Sequence, residues 1–209
     1  YNKDYDGTIL PADTFIVTNI STITLLDGKE HKKWTFNNGM QYVEGIGSFA
    51  TCYAHNDFYQ LIANAPLYSD VYSQHLVCAS KNGQLLYQMD DAEMERLGTE
   101  CLCEIEPKWS ETWCNQWNIL SHGYQGPQDP LAAACTSIFW LSNNTVNRDG
   151  QEYIPLMCSS SKPDVESTNL IGELRFTENK QVYFYYDNTE HLLYDFGAQV
   201  GDRLQVFQR

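Results

Sequence analysis

Turn-forming polar residues punctuate this chain from one end to the other, and they leave apolar runs only long enough for strands. Asp27-Gly28, Asn37-Asn38-Gly39, Lys81-Asn82-Gly83, Arg148-Asp149-Gly150 and Glu178-Asn179-Lys180 each separate two such runs. Asn, Asp and Gly tolerate the positive φ that a tight hairpin demands. Residues 14–26, TFIVTNISTITLL, are β-branched and partly alternating, and read as two strands or one bent strand. Further strands are expected at Lys32–Phe36, Met40–Glu44, His75–Ser80, Gln84–Gln88, Ser137–Leu141, Gln151–Cys158, Leu170–Thr177, Gln181–Tyr186, His191–Phe196 and Arg203–Phe207. Gly45-Ile46-Gly47-Ser48 ends the strand before it, its glycines relieving crowding at a bulge or bend. Residues 49–74 read as a long loop or a short helix, and 124–134 and 159–168 as loops. One helix is expected, DDAEMERL over 90–97, with Asp able to cap its start and Gly98 its end. Many short strands without alternating long helices give an all-β fold, an antiparallel sandwich or barrel-like arrangement of hairpins. Periodicity is lost from Gly98 to Pro107. That divides the chain into β-rich halves, 1–98 and 99–209, which are expected to share a core or swap strands.

The 209 residues are 43% hydrophobic, so a substantial core is within reach. Tyr, Phe and Trp number 14, 9 and 5, and aromatics favour pleated, half-buried surfaces. The formal net charge of −14 argues against nucleic acid and anionic membranes as partners, since phosphate binding needs a basic face. Lys29, His31, Lys32 and Lys33 form the single basic cluster, expected on a solvated edge strand. No apolar run approaches the roughly 20 residues of a membrane-spanning helix. Seven cysteines leave at least one free, or paired outside the chain, if disulfides form.

Motifs for catalysis are sparse. Cys101-x-Cys103 with Cys114 lacks the second ligand pair of a tetrahedral zinc site, so no metal is expected. Cys52 with His55, and Ser121 with His122, are local coincidences without an orienting third group, and no G-x-S-x-G elbow or complete phosphate loop occurs. No cofactor is implied. Asp195 and Asp202 flank a glycine-containing turn. They read as turn caps accepting from backbone amides, with a calcium-ligand role as the minor alternative. Trp109, Trp113 and Trp117 recur every four residues and, with Tyr124 and Trp140, could offer flat rings to a sugar or a protein partner. The plainer reading is core packing. The ligand-binding candidates are therefore Trp109, Trp113, Trp117 and Tyr124.

Two stretches carry a family resemblance: VEGIGS at 43–48, and LLYDF at 192–196 followed by VGD at 200–202. As a pair they resemble a group of uncharacterised secreted or surface-attached proteins of Bacteroidota. In that group the LLYDF part precedes the "IEGIGS" part, whereas here the order is reversed. Either the chain holds the end of one unit and the start of another, or its halves dock as a circular permutant. An echo of Tyr194-Asp195 and Asp202-Arg203-Leu204 in Tyr5-Asp6 and Asp13-Thr14-Phe15 supports the first. The resemblance implies an exported, β-rich protein and carries no activity. In an exported protein one or two disulfides are expected. The resulting expectation is a non-catalytic binding or structural module of the cell surface or secreted fraction. Its partner would be a glycan or another surface protein, and a strand-swapped homo-oligomer is a further option. The alternatives are a carbohydrate-binding accessory domain and a hydrolase whose two acids lie far apart in sequence.

Overall fold

The turn residues bend the chain where their tolerance of positive φ predicts. The computed structural model describes residues 2–3, 9–10, 15–37, 39–48, 52–53, 72–101, 116–123, 134–159 and 169–205. Asn82-Gly83 (φ 50° and 77°) and Asp149-Gly150 (φ 49° and 83°) have positive φ at both turn residues, matching the right-handed twist of the strands they join. Asp187-Asn188 (φ 48° and 58°) makes a third such turn. At 178–180 the loop has three residues, and Lys180 takes the left-handed position at φ 62°.

The protein is mostly β: two antiparallel sheets, one a curled half-barrel, and one short helix. The smaller sheet contains β3 (Phe15–Thr24), β4 (Glu30–Phe36), β5 (Gln41–Val43), β6 (Gly47–Ser48) and β17 (Arg203–Leu204), in the order β17-β3-β4-β5-β6. The larger contains β7 (Cys52–Tyr53), β8 (Tyr72–Lys81), β9 (Gln84–Gln88), β10 (Gln116–Gly123), β11 (Ala134–Leu141), β12 (Val146–Arg148), β13 (Gln151–Ser159), β14 (Asn169–Phe176), β15 (Gln181–Tyr186) and β16 (Thr189–Asp195). Its order is β16-β15-β14-β13-β11-β10-β8-β7, with β12 on β13 and β9 on β8. A two-strand ladder, β1 (Asn2–Lys3) with β2 (Ile9–Leu10), stands apart from both.

Residues 15–24 are one strand, irregular between Val17 and Asn19. Two expectations need correction. The basic cluster does not lie on an edge: β4 is hydrogen-bonded to β3 on one side and β5 on the other, although Lys29 and Lys32 are exposed. Within 49–74, expected to be a loop or short helix, Cys52–Tyr53 form β7 and Tyr72–Gln74 belong to β8, which pairs with β7 and β10. The rest of that stretch, 49–51 and 54–71, lies outside the described residues.

One apolar cluster fills the space between the sheets, drawing on Phe15, Val17, Trp34, Phe36, Tyr42 and Val43 from one and on Trp117, Ile119, Phe139, Leu174 and Phe184 from the other. LLYDF and VEGIGS meet inside it. The Tyr194 ring lies 4.8 Å from Tyr42 and 5.2 Å from Phe196, and Phe196 packs edge-on to Trp34 at 5.2 Å. The Tyr194 hydroxyl accepts from the Ser48 amide at 3.1 Å. A Cβ on Gly47 would stand 2.5 Å from that hydroxyl, so a side chain there is excluded by space as well as by its φ of +100°. Three further bonds close the junction. Trp34 Nε1 donates to the Ala198 carbonyl at 3.0 Å, Lys180 Nζ to Glu44 Oε1 at 2.9 Å, and the Gly201 amide to the Val17 carbonyl at 2.8 Å. Asp195 Oδ1 accepts from the Gly197 amide and Asp202 Oδ2 from the Gln199 amide, both at 2.8 Å, which is the turn role expected of these acids.

The helix spans Asp91–Leu97. Asp90 caps it by accepting from the amides of Ala92 and Glu93, and Gly98 ends it at φ 66°. Met94 and Leu97 pack on Val77 and Met89 in a second, small cluster, and a Cys78–Cys101 disulfide ties the segment after the helix to β8.

Candidate functional site on the outer face of the large sheet

The hairpin β14–β15 fixes which side chains leave the core. Its register pairs Glu173 with Tyr185, Leu174 with Phe184 and Arg175 with Tyr183. Paired residues of a ladder point to the same side, and successive residues alternate. Leu174 and Phe184 face the core, so Glu173, Arg175, Tyr183 and Tyr185 face outward. On β16, Glu190 pairs with Tyr185 and joins them.

These outward groups form a connected lattice. Arg148, at the end of β12, reaches across β13 and holds Glu173 through Nε and Nη2 at 2.5 and 2.7 Å. Its guanidinium lies 4.5 Å from the Tyr185 ring centre. Arg175 reaches over β15 and holds both Glu190 oxygens at 2.7 and 2.8 Å, with its guanidinium 4.5 Å from the Tyr183 ring centre. Tyr153 donates from its hydroxyl to Glu190 Oε1 at 2.6 Å and packs edge-on to Tyr185 at 5.5 Å. Bidentate pairs fix orientation as well as charge. Cation–π contacts add to them and hold the long arginine side chains flat on the sheet. The Glu173 side chain is only 6% exposed. Removing Arg148 would strand a buried carboxylate without its counter-charge, a strongly destabilising change.

The electrostatics decide what this surface can do. The Arg175 guanidinium holds the Glu190 carboxyl below its ordinary value against the upward push of burial. Glu173 raises the Arg148 guanidinium above its ordinary range, and Glu190 does the same for Arg175. Burial, reinforced by the bond to Glu190, raises the Tyr153 phenol. A glycosidase general acid needs a carboxyl pushed up toward working pH; Glu190 is pushed the other way. The face is thus a charged and aromatic surface, its arginines held by carboxylates and laid over tyrosine rings. Between the start of β14 and the β15–β16 turn it forms a shallow cavity of about 230 Å³, lined by Arg148, Leu170, Ile171, Gly172, Glu173, Tyr185, Tyr186, Asp187 and Asn188.

The candidates read from sequence lie elsewhere. Trp117 is 8% exposed, packed in the main core, and donates from Nε1 to the Ile46 carbonyl at 2.9 Å, so it takes the core-packing role. Trp109, Trp113 and Tyr124 lie outside the described residues. Trp140 is partly buried and pairs with Gln116. Cys101 is committed to its disulfide and is not available to a metal, while Cys103 and Cys114 lie outside the described residues. Among the described residues no three His, Cys, Asp or Glu side chains cluster in a way that could hold a metal ion, and no helix is long and apolar enough to cross a membrane. His31 sits between the Asp27 carboxylate (3.2 Å) and the Glu44 carbonyl (3.1 Å). The Lys29 amide and the His31 ring hold the Asp27 carboxyl below its ordinary value although burial raises it. Both ring nitrogens are engaged there in tying the β3–β4 turn to the residue after β5.

A signal for the outer face was present in the sequence. GELRF and QVYFYY alternate about the three-residue loop 178–180, which brings Arg175 opposite Tyr183. Arg148 and Glu190 are set by long-range pairing and carry no such signal. No protein-family model, no curated protein and no solved structure matches the chain.

Proposed function

We propose that this chain is a non-catalytic binding module of an exported bacterial protein, and that it engages its partner through the outer face of β13–β16. One observation carries the reading: the side of the sheet turned away from the core presents tyrosines and arginines locked in one geometry by paired carboxylates. Binding surfaces favour Tyr and Arg because both offer large contact area, and here little ordering remains to be lost on association. The pairing with Arg175 holds the Glu190 carboxyl below its ordinary value, the wrong direction for a general acid, which weighs against the hydrolase alternative. Export rests on the resemblance carried by VEGIGS and LLYDF, and a disulfide at Cys78–Cys101 fits an oxidising compartment.

The test is co-sedimentation of the purified protein with isolated bacterial envelope material, alongside chromogenic glycoside and ester assays. Wild-type protein is expected to sediment with the envelope and show no turnover. Tyr183→Ala is expected to remain in the supernatant, folded but with a melting temperature lowered modestly by the lost contact with Arg175. Turnover, or equal sedimentation of the variant, would contradict the proposal.

A further inference from the structure

The cavity beside the β15–β16 turn has the two kinds of wall that a sugar ring requires. Leu170, 58% exposed, and the half-buried Tyr186 ring, which stacks on Phe184, supply the apolar part of the lining. The exposed turn residues Asp187 and Asn188, also in the lining, supply acceptors and donors. A pyranose has the matching form, with an apolar C–H face and a rim of hydroxyls. At about 230 Å³ the cavity falls below the roughly 300–1,000 Å³ of drug-sized sites, so it suits one ring or a chain end.

Charge narrows the class further. Arg148 is the one cation among the lining residues, and both its Nε and Nη2 are spent on Glu173. Asp187 then leaves the lining with one uncompensated negative charge. An acidic sugar would meet repulsion there, whereas a neutral sugar offers hydroxyls to both Asp187 and Asn188. The turn geometry supports this role, because Asp187 and Asn188 at φ 48° and 58° are held in a tight two-residue turn.

From these observations we infer that the cavity lined by Arg148, Leu170, Tyr186, Asp187 and Asn188 binds a single neutral hexose unit of a glycan. The inference rests on the outer face being a binding surface, and it names the ligand class that face takes.

A glycan array followed by calorimetric titration tests it, using neutral and uronic-acid oligosaccharides of equal length. Wild-type protein is expected to retain neutral glycans and not the acidic ones. Leu170→Ser, at an exposed position, should weaken neutral binding about tenfold without altering the melting temperature. Asp187→Asn keeps the turn chemistry and removes the charge, so it should keep neutral binding and admit uronic acids. An array blank for neutral glycans, a wild-type preference for acidic ones, or neutral binding indifferent to Leu170→Ser would each overturn the inference. If envelope sedimentation then still depends on Tyr183, the broader reading of the face survives; if that dependence is also lost, both fail.

Discussion

Gly47 carries more of this fold than its size suggests, because the Tyr194 ring occupies the space a Cβ would need. Gly47→Ala combines backbone strain with overpacking and should cost roughly 2–4 kcal/mol, read as a lowered urea midpoint. Gly201 separates the two terms. It sits at φ +93°, and a Cβ added there would meet nothing within 4 Å, so Gly201→Val should show the backbone cost alone, about 1–3 kcal/mol. An unchanged melting temperature would mean that the turn holding residue 201 to Val17 can relax. Asn118 is the opposite case: fully buried on β10, with neither amide atom of its side chain bonded. Asn118→Leu has the same branched shape without the desolvation penalty and should raise stability by about 1–3 kcal/mol in the same denaturation assay. A loss of stability would show that the amide is satisfied by something it holds.

At the scale of elements, sequence legibility follows the range of the interaction. The helix, its Asp90 cap and its Gly98 stop are local chemistry, and they stand within a residue of their expected places. The hairpins at Asn82-Gly83 and 178–180 are equally local. β12, by contrast, is only three residues, Val146–Arg148, too short to carry an alternating pattern and made into a strand by β13 beside it. The same dependence hid the candidate site, since Arg148 meets Glu173 and Arg175 meets Glu190 only after β12 to β16 have assembled. Trp spacing at 109, 113 and 117 drew attention for the opposite reason: it is visible locally, yet burial decides what Trp117 does. The Cys78–Cys101 bridge is the one covalent tie between the short helical segment and the sheet among the described residues. It closes a separation of 23 residues, so Cys78→Ala/Cys101→Ala should lose about 3 kcal/mol by the chain-entropy estimate. Calorimetry should show the deficit, and an equal Tm for the bridged and unbridged proteins would contradict it.

Across the whole molecule, one sheet has two chemically different faces. Its inner face joins the core in which Tyr194 and Phe196 meet Trp34, Tyr42 and Gly47, residues far apart in the chain. Its outer face holds the arginine–tyrosine lattice. The lattice makes stability depend on acid in a defined direction. The Glu190 carboxyl is held below its ordinary value of 4.5 in the folded protein, so the unfolded chain takes up that proton first as pH falls. Its contribution is therefore present above about pH 4.5 and is lost as pH drops through the lowered folded value. Glu190→Gln should lower the Tm at neutral pH and flatten its fall below that point; parallel curves for the two proteins would count against the pairing with Arg175. The proposed division, binding on the outer face and packing on the inner, is tested most directly by measuring envelope binding and urea stability on two variants, Tyr183→Ala on the outer face and Tyr194→Phe in the core. The predicted result is a dissociation: Tyr183→Ala loses binding while staying folded, its midpoint lowered modestly by the lost contact with Arg175, while Tyr194→Phe lowers the midpoint and keeps binding. Loss of binding in Tyr194→Phe with binding intact in Tyr183→Ala would contradict the account.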